Sequence, residues 1–476
     1  MKKRIIALLL FVILTLTACG PTTPNNNNNQ GGDNVTDGAI VFDDEAFGAD
    51  LKGLGVYDGL FEGEGVDVEI NCVDGTPGCY KIEGNTVIFS GIKADSVYSI
   101  SGHLFGNIVI AVSDAYNFEL EMCGLSIISD STHPVSVMSG NEVTIQAKKS
   151  TKNYIYDTRA AIAEDDLYSI SGAIYSEVDL EISGKGELYV VSYNNNGIHS
   201  KKDLQVKNLS LTVSCKDNAL KGNDSVELEN ANAWLVASAG DCIKTSNSDI
   251  SSKGNQRGTV SILGGRYSIF AASDGIDAAY NVDIISGSVN VYTAKYSKHS
   301  ETTSVASSKG IKAHNEIFIR GGEINIKSSD DAVYASADTP LENGNNPSGA
   351  VNVNGGDVVI YTDADGLRAD GKLNIRGGNT VILSTTEGHS AIAADDGYSY
   401  SVGVLVGLMP ESEAADSSTD CITFNLVGSE ANLSVAKGDM LTCNIGSDVV
   451  KVQISLGSSL RVVMLGSPDA TVTVNQ

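Results

Sequence analysis

Ile317-Phe-Ile-Arg-Gly-Gly-Glu-Ile-Asn-Ile326 holds two short runs of alternating apolar and polar residues on either side of an Arg-Gly-Gly bend. Alternation at every second residue is the period of a half-buried strand and not of an amphipathic helix. A glycine pair fits a bend where a side chain would clash as one strand turns into the next. The phrase returns as Leu373-Asn-Ile-Arg-Gly-Gly378, so one unit is being repeated.

Working outward, units open on Asp/Asn-Gly-Ile or a close variant, with apolar anchors at Ile174, Ile198, Leu220, Ile243, Ile276, Ile311, Val333, Leu367 and Ile392. Most steps are 22 to 25 residues, close to the least that closes a coil of three short strands. Three steps of 33 to 35 residues carry polar extras at 245–257, 294–307 and 336–348. A solenoid tolerates such insertions because they leave the stacked strands untouched. Propeller blades need about 40 residues, and sandwiches do not repeat one short motif nine times. The fold class expected is all-β: a single-stranded parallel β-helix, right-handed by analogy with the common form. Regular coils span 166–400, a cap and irregular first coils span 40–165, and a C-terminal β cap spans 401–476.

Lys2, Lys3 and Arg4 precede an apolar run that closes on Leu16-Thr17-Ala18-Cys19. This has the form of a bacterial lipoprotein signal over 1–19, with Cys19 lipidated and the chain tethered to the outer face of the cell membrane. The Asn- and Gly-rich stretch 20–39 has too few apolar residues to offset chain entropy and reads as a disordered tether. The other seven cysteines are too few for a disulfide framework at this length. Cys72 with Cys79, and Cys421 with Cys443, are candidate bridges. A formal charge of −27 over 476 residues argues against nucleic acid and for cations, or sugars approached through a cation.

Equivalent residues of stacked coils form columns about 4.8 Å apart per step. Two positions before the anchors stand Asn196, Asn218, Asp241, Asp274, Lys309, Asp331 and Asp365. Turn chemistry alone accounts for Asn and Asp before Gly. It accounts less well for Asp217, Asp277, Asp330, Asp363 and Asp370 crowded alongside. Stacked carboxylates repel, and a calcium ion taking six to eight oxygens relieves the repulsion. Asp217, Asp241, Asp274 and Asp277 form one candidate calcium site. Asp330, Asp331, Asp363 and Asp365 form a second.

One position after the anchors stand His199, Lys221, Lys244, Asp277, Lys312, Tyr334 and Arg368, an unexpectedly basic row that suits sugars bearing carboxylates. Solvated charges balancing the Asp column are the plain alternative. Phe270, Tyr292 and Tyr361, with Lys327 between the last two, fall on the outward positions of one strand face and offer flat faces to a pyranose. Trp234 and Tyr267 fall, on the same alternation, in the inward column of Leu211, Ile324 and Val358.

The run of units, Ala173-Ile-Tyr-Ser-Glu-Val-Asp-Leu-Glu-Ile-Ser-Gly184, Asp274-Gly-Ile-Asp-Ala278 and Asp365-Gly-Leu-Arg-Ala-Asp370, entered through Tyr98-Ser-Ile-Ser-Gly-His-Leu104, resembles a family of bacterial carbohydrate-binding β-helix proteins common as clostridial lipoproteins. The resemblance implies a polysaccharide-lyase-like right-handed β-helix that binds cellulose-like or acidic sugars such as polygalacturonate. It also implies calcium held by Asp241, Asp274 and Asp277, whereas Lys309 interrupts the column. The expected function is a monomeric, membrane-anchored polysaccharide binder. The alternatives are a calcium-dependent pectate-type lyase, with Lys309, Lys312 or Lys244 as base, and a structural surface solenoid that binds no sugar.

Overall fold

The computed structural model describes residues 39–41, 65–160, 172–301, 307–410, 430–435, 439–445, 448–453, 458–465 and 471–475. The signal, with Cys19, and nearly all of the tether lie outside these residues. Among the described residues the chain is strand and turn, and its one helical piece is the 3-10 turn Ala294–Tyr296.

The anchor residues identified from the sequence stand side by side. Ile174 pairs with Ile198, then Leu220, Ile243, Ile276, Ile311, Val333, Leu367 and Ile392 follow in parallel register without a slip. These short strands form one face, here the anchor face. Two further parallel columns follow in every coil. Leu180–Gly184, Asp203–Lys207 and Ser225–Glu229 begin the second face; Glu187–Ser192, Ser210–Cys215 and Ala231–Ala237 begin the third. Long strands Ala350–Thr362 and Leu373–Ser384 run across the bend and join the last two faces. Parallel stacking already runs at Thr86–Ser90, earlier than the regular spacing in the sequence suggests. The result is an all-β, solenoid-like stack of parallel strands.

Inward side chains from the three faces meet in one continuous apolar core, in which Ile198, Leu220, Ile243, Val213, Ile269, Val291 and Ile360 are inaccessible to water. Each such burial contributes roughly 1.5–3 kcal/mol before the entropy of ordering the chain is subtracted. The inward line on the third face is Leu211, Ala233, Tyr267, Val289, Ile324 and Val358. Tyr267 is therefore core, as expected. Trp234 is not: it pairs with Thr212 and Ser268 on the outward side, and the small Ala233 takes the inward place.

Glycine in Asp-Gly-Ile has a steric cause. A Cβ on Gly275 would stand 2.3 Å from Val291 Cγ1, and one on Gly310 2.4 Å from Ile326 Cγ2. At the Arg-Gly-Gly bend, Gly322 has φ +94° and its Cβ would lie 2.5 Å from the Gly287 carbonyl oxygen.

Antiparallel strands flank the stack. Val66–Asp74 pairs with Ser96–Phe105, and Val404–Pro410 with Ser458–Leu465. Within the C-terminal β cap expected from the sequence, residues 411–429 lie outside the described residues. Cys72 and Cys79 are free thiols, and Cys421 lies outside the described residues. Replacing Gly275 by Ala forces a methyl group into Val291, and overpacking of this kind costs about 1–3 kcal/mol. The expected outcome is a melting temperature several degrees below that of the unaltered chain, measured by circular dichroism.

Candidate functional site

The column two positions before the anchors is first a hydrogen-bond ladder. Five of its side-chain oxygens Oδ1 accept the backbone N–H of the equivalent residue one coil on: Asn196 from Asn218 (2.9 Å), Asp241 from Asp274 (2.8 Å), Asp274 from Lys309 (2.7 Å), Asp331 from Asp365 (3.1 Å) and Asp365 from Ser390 (2.7 Å). Lys309 cannot accept such a bond, and the neighbouring Asp330 supplies the acceptor for the Asp331 N–H at 2.8 Å. Asp330, the first carboxylate of the Asp330-Asp331 pair, therefore repairs the step that Lys309 breaks.

The other carboxylate oxygens turn to the basic row, whose members stack in the expected register His199, Lys221, Lys244, Asp277, Lys312, Tyr334, Arg368. Lys244 Nζ lies 2.6 Å from Asp241 Oδ2 and 2.9 Å from Asp277 Oδ2. Lys312 Nζ lies 3.7 Å from Asp274 Oδ2 and 3.5 Å from Asp277 Oδ1. Lys309 reaches Asp330 at 2.5 Å and Asp331 at 4.0 Å, and Arg368 reaches Asp365 at 3.2 Å. Among the described residues, Lys221 has no ion pair within 4 Å and no hydrogen bond. His314, two positions beyond Lys312 on the same outward alternation, brings Nε2 to 4.0 Å from Asp277 Oδ1. Its place in the column pattern is legible in the sequence, but its approach to Asp277 is not, since that depends on side-chain direction.

Burial opposes the Lys244 charge, but Asp241 and Asp277 outweigh it and push its pKa up. Lys312 is raised in the same way by Asp277 and Asp274. A lysine acting as base in β-elimination must be neutral, so these two are poorly suited to that role. Burial, reinforced by neighbouring carboxylates, pushes Asp274 and Asp331 up to about 6. Asp277 goes the other way: burial opposes its charge, and Lys244 and Lys312 still hold it below the usual carboxylate range.

The donors as arranged do not fit a calcium ion. Asp241, Asp274, Asp331 and Asp365 each give Oδ1 to a backbone N–H and face a cation with Oδ2. Asp363 accepts from Tyr296 and Thr385 and pairs with Lys295 at 2.6 Å, while Asp370 accepts from Tyr334 and the Ala337 N–H. Asp217 is half-buried, and its pKa is raised by burial. A dication set among ammonium groups gains little. Among the described residues no group of three or more His, Cys, Asp or Glu converges to hold a metal.

The aromatic ladder stands in the expected order, Phe270, Tyr292, Lys327, Tyr361, one coil apart. It is not an open platform, since Phe270 is only 3% and both tyrosines 9% exposed. The insertion that begins at Ala294 lies over it. His299 meets Phe270 edge-on at 5.2 Å, Tyr296 meets Tyr361 edge-on at 5.6 Å, and Lys327 Nζ sits 4.9 Å from each of those tyrosine rings. Trp234 extends the ladder, 4.8 Å from Phe270. The Tyr334 ring is likewise occupied, by Lys309 at 5.3 Å and Arg368 at 5.6 Å.

A family model described as "Carbohydrate-binding domain-containing protein" matches residues 83–348, more than half of the chain. The chain belongs to this family of carbohydrate-binding domain-containing proteins. A relative of the same description from Acetivibrio thermocellus is 31% identical over 213 residues, which is 44% of this chain and 65% of the relative. The match thus spans just under two thirds of that relative's length. Among solved structures, the polysaccharide lyase-like protein from C. thermocellum, in a gadolinium derivative, is similar at 28% identity and a TM-score of 0.40, over 46% of this chain and 86% of that one.

Asp331→Asn keeps the ladder acceptor and removes a charge that the folded chain penalises. The Asp331 pKa is raised from 3.8 to about 6, so its contribution to stability is fully present below 3.8 and lost as pH rises through 6. The variant should therefore melt above the unaltered chain at pH 7.5. The difference should shrink between about pH 6 and 3.8, read by thermal denaturation across that range.

Proposed function

We propose that this protein is a surface lipoprotein, anchored through Cys19, whose anchor face binds a neutral, cellulose-like polysaccharide. Membership of the carbohydrate-binding family supports the ligand class. The charge balance of the face carries the choice within it. Lys221, Lys244, Lys309, Lys312 and Arg368 are outnumbered there by Asp217, Asp241, Asp274, Asp277, Asp330, Asp331, Asp365 and Asp370. A polyuronate approaching without a dication meets net repulsion. A neutral chain does not, and its hydroxyls, each donor and acceptor, find carboxylates in one column and ammonium groups in the column beside it.

In this reading the solenoid is a right-handed parallel β-helix, monomeric, closed at its C-terminal end by the antiparallel strands around Ser458–Leu465. No sugar is cleaved. The calcium-dependent, pectic form of binding is the outcome that would replace it.

Retention on insoluble cellulose and on immobilised polygalacturonate, each with calcium and with a chelator, separates these cases. Cellulose should retain the protein in both buffers and polygalacturonate in neither. Calcium-dependent retention on polygalacturonate sinks the neutral reading. Lys221→Ala and Arg368→Ala should each weaken cellulose binding about tenfold, near 1.4 kcal/mol. Calcium should leave the melting temperature unchanged, since both oxygens of the ladder carboxylates are engaged; a rise of several degrees restores the metal site. Cys19→Ala should move the chain from the membrane fraction to the medium.

A further inference from the structure

Two of the insertions meet. Thr245 to Arg257 follows the anchor strand Ile243–Lys244, and Ser336 to Ser348 follows Val333–Ala335, with the coils of Ile276 and Ile311 between them. The Ser248 N–H donates to Glu342 Oε2, the Glu342 N–H donates to Ser248 Oγ, and Asn343 Nδ2 donates to Gln256 Oε1, all at 3.1 Å. The loops thus clasp each other across the two coils they skip.

Beside the clasp lies a cleft of about 350 Å³. Lys244, Asp277 and His314 belong to the anchor-face side, Ser246 and Ser248 to one loop, and Pro340, Leu341 and Glu342 to the other. Its size, at the lower end for small-ligand sites, suits roughly one or two pyranose rings. Asp277 is 8% exposed, and its Oδ2 is bonded to Lys244, but its Oδ1 accepts no hydrogen bond. Among the described residues it is the one fully buried carboxylate oxygen without a hydrogen-bond partner. A buried acceptor left open is costly unless something donates to it. Lys312 pairs with that oxygen at 3.5 Å and His314 stands at 4.0 Å, so it faces charge without a hydrogen bond.

We infer that this cleft is a sugar subsite, in which the Asp277 carboxylate accepts a ring hydroxyl, Lys244 and Ser248 supply donors, and Pro340 and Leu341 pack against the apolar C–H face of the ring. The inference rests on the proposed binding of a neutral polysaccharide and adds where specificity is read. The clasp is part of the site, because Leu341 and Glu342 take their place from the bonds to Ser248. A carboxylate in the cleft lining selects a ligand that donates, which a hydroxyl does and an ionised uronate carboxyl does not.

Cellohexaose is the soluble probe, with affinity measured by isothermal titration calorimetry and retention on insoluble cellulose measured in parallel. Asp277→Asn removes the charged acceptor. The pair Ser248→Ala with Glu342→Ala releases the clasp at the surface without touching the core. Both should lower cellohexaose affinity about tenfold or more, while retention on cellulose, spread along the whole face, falls less. If the unaltered protein is retained on cellulose yet cellohexaose binds it and both variants equally well, or does not bind it at all, the subsite is wrong and the proposed function stands. If cellulose does not retain the unaltered protein, the proposed function itself is wrong.

Discussion

Everything on the anchor face depends on one repeated hydrogen bond, in which an Asn or Asp side-chain oxygen two positions before the anchor accepts a backbone N–H from the following coil. Strand pairing alone would allow neighbouring coils to slide by two residues without exposing the core. The Asx oxygen marks a single position in each coil and ties it to its equivalent in the next. With register fixed there, every other outward position becomes a column. That is how charges more than thirty residues apart in sequence, such as Asp241 and Asp277 around Lys244, become neighbours.

The same bond explains why the acidic column is not a row of free ligands. A carboxylate that caps a backbone amide has one oxygen left, and in this half-buried place it turns to the nearest ammonium. The Asp and Lys columns are therefore one charge-paired lattice. Asp277 departs from the pattern because it belongs to the row after the anchors and caps no amide. Its neighbours Lys244 and Lys312 keep it charged, and the clasped loops define the space beside it.

Much of this was legible in the sequence. The anchors, their register and the membership of both columns follow from spacing, since a solenoid maps period directly onto space. What spacing cannot carry is side-chain direction and loop contact. The choice between calcium and lysine as partner of Asp241 or Asp274 depends on where Oδ1 and Oδ2 point. The covering of Phe270, Tyr292 and Tyr361 depends on His299 and Tyr296, in an insertion with no period. Trp234 misled because the alternation is easily placed one residue out of register here: Leu211 pairs with Ala233 and not with Trp234. In Ala231-Asn-Ala-Trp-Leu-Val-Ala237 the small Ala231 and Ala233 are inward, and the pairing of Ala233 with Tyr267 shows it.

The clasp between Ser248 and Glu342 also has a mechanical side. Coils of a solenoid touch only their neighbours, so a pull on one end can peel them away singly, each step opposed by one coil's worth of contacts. A strap joining the coil of Ile243 to that of Val333 closes those coils into a loop. The intervening coils then share the load and must yield together. In the proposed arrangement, with the chain tethered at one end and bound to a polymer along its flank, that raises the force at which the strapped part of the stack gives way, just where Asp277 sits.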